Sequence, residues 1–249
     1  MAAPKLSERR VSQRYVLSKE TPCGHVVFDK SVVLPIEDIS YGGFSVSTRT
    51  ADHQSFWEKT PRMTEVEVVI FGVSTTGRAL RIFESKQRLG FAFCHDTASM
   101  LIFLRRFIEF MRLGEHLNAL DKSGLKPPFD SPDWLFFRGD GPTSILVHKS
   151  PQNSQMIDEA VISFREKDSY RSAEFKNGRF LTGVSSDTNS SFGKLSSTDQ
   201  SLNEDILRKA ACITMGYAHI CSSEERPMIE HLMMIFRNQL LSSPVTAKH

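Results

Sequence analysis

The chain has 249 residues, 40% of them hydrophobic and 24% charged, with a formal net charge of +2 at pH 7. This composition is that of a folded soluble protein with material for one large or two ordinary domains, far from the low-hydrophobicity regime of disorder. The small net charge argues against a general nucleic-acid or membrane-surface binder, and the most apolar run, Met100 to Leu104, meets Arg105 and Arg106 far short of the roughly 18 to 20 apolar residues of a membrane span.

Charge is concentrated at the start, where Lys5, Arg9, Arg10 and Arg14 stand against Glu8 and form a small cationic arm. Tyr15-Val16-Leu17 opens a strand, Thr21-Pro22-Cys23-Gly24 reads as a turn, and His25 to Phe28 resumes a β pattern. Val32-Val33-Leu34 leads through Pro35 into Glu37-Asp38-Ile39-Ser40-Tyr41-Gly42-Gly43-Phe44, a strand that enters a tight glycine turn and leaves in another strand. Phe44, Val46 and Thr48 alternate with Ser45 and Ser47, the period-two signature of a half-buried strand. Residues 49 to 63 are polar with Pro61 and read as a long loop. Val66 to Val73 is rich in β-branched residues, Ser74-Thr75-Thr76-Gly77 reads as a turn into Ala79 to Phe83, and Gln87 to Phe93 makes a last strand. About six strands with no helix between them predict a small antiparallel barrel or sandwich.

Asp96 or Thr97 offers an N-cap for a helix that runs to about Leu113, or through Gly114 to Leu120. Arg105, Glu109, Arg112 and His116 fall on one polar stripe, and Leu101, Phe103, Leu104, Phe107, Ile108, Phe110 and Met111 make the rest apolar. So wide an apolar surface is too large for a barrel lid alone and suits packing on two partners at once, the second being the C-terminal domain or another subunit. Lys122 to Pro132, with Gly124, Pro127 and Pro128, marks a boundary between domains at residues 1–121 and 133–249.

Beyond it, Trp134 to Phe137, Ser144 to His148, Ala160 to Phe164, Ala173 to Phe175 and Arg179 to Leu181 read as strands, the last two joined by an Asn177-Gly178 type I′ turn. Residues 185 to 200, dominated by Ser, Thr, Asp and Asn, read as an exposed flexible loop. Ser201-Leu202-Asn203-Glu204 reads as a capping box for a helix with Leu202, Ile206, Ala210, Ile213, Tyr217 and Ile220 on one face. A final helix from about Pro227 to Leu241 carries Ile229, Leu232, Met233, Phe236 and Leu240 on one face. The fold class is therefore α+β: an N-terminal antiparallel six-stranded barrel with a following helix, then an α+β domain of a short antiparallel sheet and two helices.

Arg10 and Arg14 make an Arg-x-x-x-Arg pair ahead of the Asp-x-Ser-x-x-Gly cluster of Asp38, Ser40 and Gly43, and Leu89-Gly90-Phe91-Ala92-Phe93 supplies a late Leu-Gly-x-x-Phe strand. In order, spacing and flanking β pattern, residues from about 7 to 113 resemble the PilZ family, small bacterial β-barrels that bind the second messenger cyclic di-GMP through these two motifs. The resemblance implies cyclic di-GMP as the ligand and Arg10, Arg14, Asp38, Ser40 and Gly43 as its contacts. The residue chemistry agrees. A guanidinium forks onto guanine O6/N7 or onto phosphate oxygens, and it also stacks on a base. A carboxylate at Asp38 accepts from guanine N1–H and N2–H₂, Ser40 shares its strand face, and Gly43 allows a tight turn and close backbone approach. Arg9 is either a third cationic contact or a solvated arginine.

Other chemistry is poorly supported. Cys212, His219, Cys221 and His231 lack a zinc-ligand spacing, so no metal and no cofactor is expected. Gly43-Phe44-Ser45-Val46-Ser47 fails the Gly-x-Ser-x-Gly elbow and no phosphate-binding Gly-x-x-x-x-Gly-Lys loop occurs, so an enzyme is not expected. The four cysteines (Cys23, Cys94, Cys212, Cys221) form no Cys-x-x-Cys pair and no signal peptide opens the chain, which points to the cytoplasm. Two functions remain. One is an adaptor in which cyclic di-GMP orders the arginine arm over the barrel and alters contacts with the C-terminal domain or a partner. The other is a ligand-independent interaction or assembly protein with the barrel as scaffold, its partner or self-association surfaces being the helix around 97–120 and the Met-rich C-terminal helix (Met228, Met233, Met234).

Overall fold

Apolar side chains at alternate positions curl the first strands around a single core. In this computed structural model, which describes residues 13–17, 23–47, 61–85, 87–94, 98–121, 129–139, 141, 143–185 and 195–242, the chain divides into two units, Met1–Ile70 with Ser74–Arg105, and Phe71–Val73 with Arg106–His249. The early strands are β1 (Tyr15–Val16), β2 (Gly24–Phe28), β3 (Val32–Ser40), β4 (Gly43–Ser47), β5 (Met63–Ile70), β6 (Val73–Glu84) and β7 (Arg88–Cys94). They pair in the order β1-β3-β2-β5-β6-β7-β4, and a β3–β4 pairing closes β2 to β7 into a six-stranded antiparallel barrel. Strand β1 covers the part of β3 that lies beyond the end of β2. Inside, the rings of Phe28, Phe44 and Phe91 gather on one another and Phe93 joins them at Phe44, with Phe44 stacked on Phe91 at 5.1 Å between centroids. Each such fully buried side chain stabilises the barrel by about 1.5–3 kcal/mol relative to exposure.

One feature differs from the sequence expectation here. The turn into β6 is formed by Phe71 and Gly72, with φ of 47° and 75°, and Ser74 to Gly77 lie within the strand. Gly72 adopts the positive φ without cost, and the β-branched threonines suit an extended backbone. Residues 48–60, most of the expected long loop, lie outside the described residues, as do Asp96 and Thr97.

Helix α1 (Ala98–Glu115) ends at Glu115, where Leu113 and Gly114 carbonyls accept i→i+3 bonds from His116 and Leu117 that tighten the last turn. Arg105, Glu109, Arg112 and His116 are all exposed, the expected polar stripe. Met100, Leu104, Phe107, Ile108 and Met111 are buried, whereas Ile102 is 68% exposed. No described helix is long and apolar enough to cross a membrane.

The second unit is an antiparallel meander in which neighbours in sequence are neighbours in the sheet: β8 (Asn118–Ala119), β9 (Trp134–Arg138), β10 (Ser144–Ser150), β11 (Asn153–Glu166), β12 (Ser169–Lys176), β13 (Arg179–Ser185) and β14 (Leu195–Thr198). Asn177 and Gly178 join β12 to β13 with φ of 51° and 73°, as the type I′ reading requires. Residues 195–198, read from composition as flexible loop, form β14 instead, because backbone pairing to β13 needs no apolar pattern. Two helices follow, α2 (Glu204–Ile220) and α3 (Arg226–Ser242).

The N-cap of α2 is Asn203, not Ser201. Its Oδ1 accepts from the Asp205 and Ile206 amides at 3.1 and 3.3 Å, which satisfies two donors that the first helical turn leaves open. This helix is also less amphipathic than its spacing suggests. It is buried almost all round from Ile206 to Tyr217, while Ile220 is 47% exposed. Close packing with α1 accounts for this: a Cβ on Gly216 would overlap the Met111 carbonyl, and one on Gly114 would overlap the Ile213 carbonyl, so two glycines let the backbones touch. Lys209, 8% exposed, is neutralised by Glu166 and by Asp205, and its ammonium lies 5.5 Å from the Phe110 ring centre. On α3, Ile229, Leu232, Met233, Phe236 and Leu240 are buried as expected. Met228 and Met233 belong to this core, so of the methionine surface only Met234 is exposed.

Candidate functional site

The site begins with a break in alternation. Leu34 and Ile36 point into the barrel, so a regular strand would send Asp38 inward as well. A bulge between Ile36 and Asp38 admits Glu37 as an extra residue: Ile36 pairs with Val46, but Asp38 pairs with Ser45. The phase therefore reverses, Ile39 enters the core at 0% exposure, and Asp38 and Ser40 turn to the outer wall.

Strand β1 places Arg14 against that wall. Tyr15 pairs with Ile39, and Tyr15 and Leu17 are 1% and 0% exposed, so two apolar anchors fix the backbone on either side of Val16. Arg14, immediately before them, donates from Nη1 to Asp38 Oδ1 at 2.8 Å.

Strand β7 supplies a second arginine. Leu89, Phe91 and Phe93 point inward, which turns Arg88 outward. Its Nε and Nη2 donate to Ser45 Oγ at 2.9 and 2.5 Å, its Nε lies 3.2 Å from Glu37 Oε2, and its Nη2 pairs with Asp38 Oδ2. Each oxygen of Asp38 is thus paired with a different guanidinium. Two carboxylates and two guanidiniums balance in charge, and charge-assisted contacts of this kind are about twice as strong as neutral ones.

Ser40 and Gly43 close the β3–β4 turn. The Ser40 hydroxyl donates to the Gly43 carbonyl at 3.2 Å, which uses its hydrogen and leaves the oxygen able to accept. Gly43 has a reason for its identity apart from any ligand: a Cβ there would overlap the Phe91 carbonyl oxygen of β7. The structure therefore brings together Arg14, Asp38, Ser40 and Gly43, while Arg9 and Arg10 lie outside the described residues. Glu37, Ser45 and Arg88 join the cluster without having been picked out from sequence. The signal for Arg88 was its place one residue before the inward Leu89; its neighbours across β4 and β3 are fixed only by the barrel's closure.

The cluster has the means to recognise an anionic, hydrogen-bonding ligand. Each carboxylate oxygen of Asp38 has a second lone pair for a donor edge, and Arg14 (31% exposed side chain) and Arg88 (40%) can meet acceptor edges or phosphates. Among the described residues no group of three or more His, Cys, Asp or Glu side chains could hold a metal ion.

No family model matches the chain, and no curated protein matches it. Among solved structures the chain is similar to an uncharacterized protein of Legionella, with 15% identity over 40% of this chain and 98% of the other and a TM-score of 0.31. It is also similar to the PilZ domain of YcgR from Escherichia coli with c-di-GMP, with 20% identity over 41% of this chain and 90% of the other and a TM-score of 0.32. A third likeness is to PlzA of Borreliella burgdorferi in complex with c-di-GMP, with 12% identity over 69% of this chain and 86% of the other and a TM-score of 0.29. The closed six-stranded barrel, with Asp38, Ser40 and Gly43 at its β3–β4 turn, is the arrangement that the sequence resemblance to PilZ domains implies.

Proposed function

We propose that the chain is a receptor for cyclic di-GMP that acts by binding and not by catalysis. The observation that supports this best is the Arg14–Asp38 ion pair on the outer barrel wall, where an arginine from the N-terminal arm meets the carboxylate of the Asp-x-Ser-x-x-Gly turn. Guanine brings two adjacent donors to Asp38 and an O6/N7 acceptor edge to an arginine, and the two phosphates add charge for Arg10 and Arg14. Two of the similar structures are described with c-di-GMP, which agrees with this ligand.

In this reading Asp38 and Ser40 hold one guanine edge, Arg14 and Arg10 close on the ligand from the arm, and Arg9 adds a weaker contact. Closure orders the arm over the barrel wall, and the ordered arm is the surface that the second unit or a protein partner reads in a bacterial cytoplasm. Calorimetric titration of the whole chain with cyclic di-GMP tests the assignment. Wild type should bind, and the Arg10→Ala/Arg14→Ala variant should bind at least about 1–3 kcal/mol more weakly, the scale of one good bidentate base contact. Absence of binding by wild type, or equal affinity of the two proteins, would sink it.

A further inference from the structure

An exposed phenylalanine ends the row of outward residues that contains Asp38. Directly paired residues of an antiparallel ladder point to the same side of the sheet. Phe83 of β6 pairs with Gly90 of β7, Gly90 with Ser45 of β4, and Ser45 with Asp38 of β3. A second bulge creates this arrangement. Ala79 points inward at 0% exposure, so regular alternation would carry position 83 inward too; the register shift between Arg81 and Phe83 reverses the phase and turns the ring outward. The row thus has a bulge near each end, one aiming a carboxylate and one aiming an aromatic ring, and bulges that re-aim side chains concentrate near functional sites.

Phe83 is 54% exposed, unusual for so large an apolar side chain. Its Cβ, Cγ and Cδ1 lie 3.3, 3.9 and 3.7 Å from where a Cβ would stand on Gly90, so part of the ring side rests over the glycine and the rest meets solvent. Gly90 itself raises no side chain between Phe83 and Ser45. The row from Phe83 to Asp38 crosses three strand spacings of roughly 4.8 Å, about 14 Å in all. A single guanine held edge-on by Asp38 does not reach across it. A ligand that also reaches Phe83 must extend a second base across that distance, with the Arg88 guanidinium on Ser45 between the two.

We propose that Phe83 is a stacking platform for the second base of the bound dinucleotide, so that the site runs along the outer wall from Asp38 past Arg88 to Phe83. This rests on the cyclic di-GMP reading above. A purely structural role for Phe83 also exists, since an aromatic ring laid over a strand glycine shields the exposed backbone. The two roles make different demands: shielding needs apolar bulk, whereas stacking needs a flat π face.

Calorimetric titration of the whole chain with cyclic di-GMP separates them through Phe83→Ala, Phe83→Leu and Phe83→Trp, with thermal unfolding as the check that each is folded. Base–aromatic stacking measured by alanine substitution corresponds to a loss of about 5- to 150-fold in affinity. Phe83→Ala and Phe83→Leu should both lose that much, and Phe83→Trp should stay close to wild type. Wild-type affinity in Phe83→Leu, or a loss in Phe83→Trp as large as in Phe83→Ala, overturns the platform while leaving the ligand assignment standing. If alanine does not fold, the leucine and tryptophan variants decide the matter alone. Failure of wild type itself to bind would remove both the platform and the reading it rests on.

Discussion

Arg88 gives two of its donors, Nε at 2.9 Å and Nη2 at 2.5 Å, to the single hydroxyl oxygen of Ser45. The same nitrogens face Glu37 and Asp38, so one guanidinium ties β7 to β4 and to the bulged residue of β3 and its successor. Arg88→Ala would leave Asp38, 6% exposed, with Arg14 alone, and Ser45, 1% exposed, with an unmatched hydroxyl. A loss of about 1–3 kcal/mol in urea-unfolding free energy is expected, the cost of buried polar groups losing their partners. Arg88→Lys should recover little of it, because an ammonium cannot fork across three acceptors. Unchanged unfolding midpoints in both variants would show that the cluster does not hold the wall.

That cluster also shows how far the sequence could be read. Alternation in Phe44 to Ser47 separated the inward Phe44 and Val46 from the outward Ser45 and Ser47, although Ser45, which a half-buried strand would leave in water, is 1% exposed beneath Arg88. The Asp38 to Gly43 segment announced itself by residue type. What alternation could not give was the partner of each outward residue, which depends on barrel closure: Arg88 meets Ser45 and Asp38 only because β4 pairs with both β7 and β3. The bulge at Glu37 was hidden for a related reason, since one extra residue looks like any other until the register is known. In the second unit the 14-residue β11 was legible only at Ala160 to Phe164, because Asn153 to Glu159 is mostly polar and takes its strand form from pairing with β10.

The Arg14–Asp38 pair should behave as a coupled unit in ligand binding. Arg14→Ala and Asp38→Ala are each expected to weaken cyclic di-GMP binding by about 1–3 kcal/mol, and Arg9→Ala by less. Their effects should not add, since residues in one ion-pair network typically show coupling energies of about 0.5–3 kcal/mol. A double-mutant cycle by calorimetry measures this. Strict additivity would mean that the two residues meet the ligand independently of their contact.

Helix α1 and helix α2 meet at Gly114 and Gly216, and neither can accept a methyl group without moving a backbone carbonyl. Gly216→Ala would push on the Met111 carbonyl and Gly114→Ala on that of Ile213, and main-chain atoms in helices yield little. Each substitution should cost about 1–3 kcal/mol as overpacking, although alanine is intrinsically the better helix former by about 1 kcal/mol. Chemical unfolding of the variants decides which effect prevails. Stabilisation by either substitution would mean that the helices separate readily.

His231 gives the second unit a pH dependence. Its Nδ1 accepts the Ile157 amide at 3.2 Å, which requires the neutral ring, and burial holds its pKa below the ordinary 6.5. The unfolded chain therefore takes up the proton first as pH falls. The contribution of neutral His231 is complete above about 6.5 and is lost as pH drops toward its lower folded value. His25 shifts in the same direction through burial, opposed by Glu67. Urea midpoints should fall between about pH 7.5 and about pH 5.5, and fall less in His231→Gln, whose side-chain oxygen accepts but does not titrate. An equal fall in both proteins would assign the pH dependence elsewhere.

Arm closure makes a separate demand on residues 2–14. The backbone just after Arg14 is already committed to the barrel, since Tyr15 is buried, Val16 pairs with Asp38, and the Leu17 amide donates to the Glu37 carbonyl at 2.9 Å. Trypsin should therefore cut slowly after Arg14 with or without ligand. Arg9 and Arg10 carry the test: if the ligand fixes the arm, a cost of roughly 1–2 kcal/mol of backbone entropy per residue is offset by their charge-assisted contacts with it. Cyclic di-GMP should slow cleavage after Arg9 and Arg10 while leaving cleavage after Lys194 unchanged as an internal comparison. If calorimetry shows binding and the two arginines are still cut equally fast with and without ligand, the arm does not close. Binding would then run through Arg14, Asp38 and their neighbours on the wall alone.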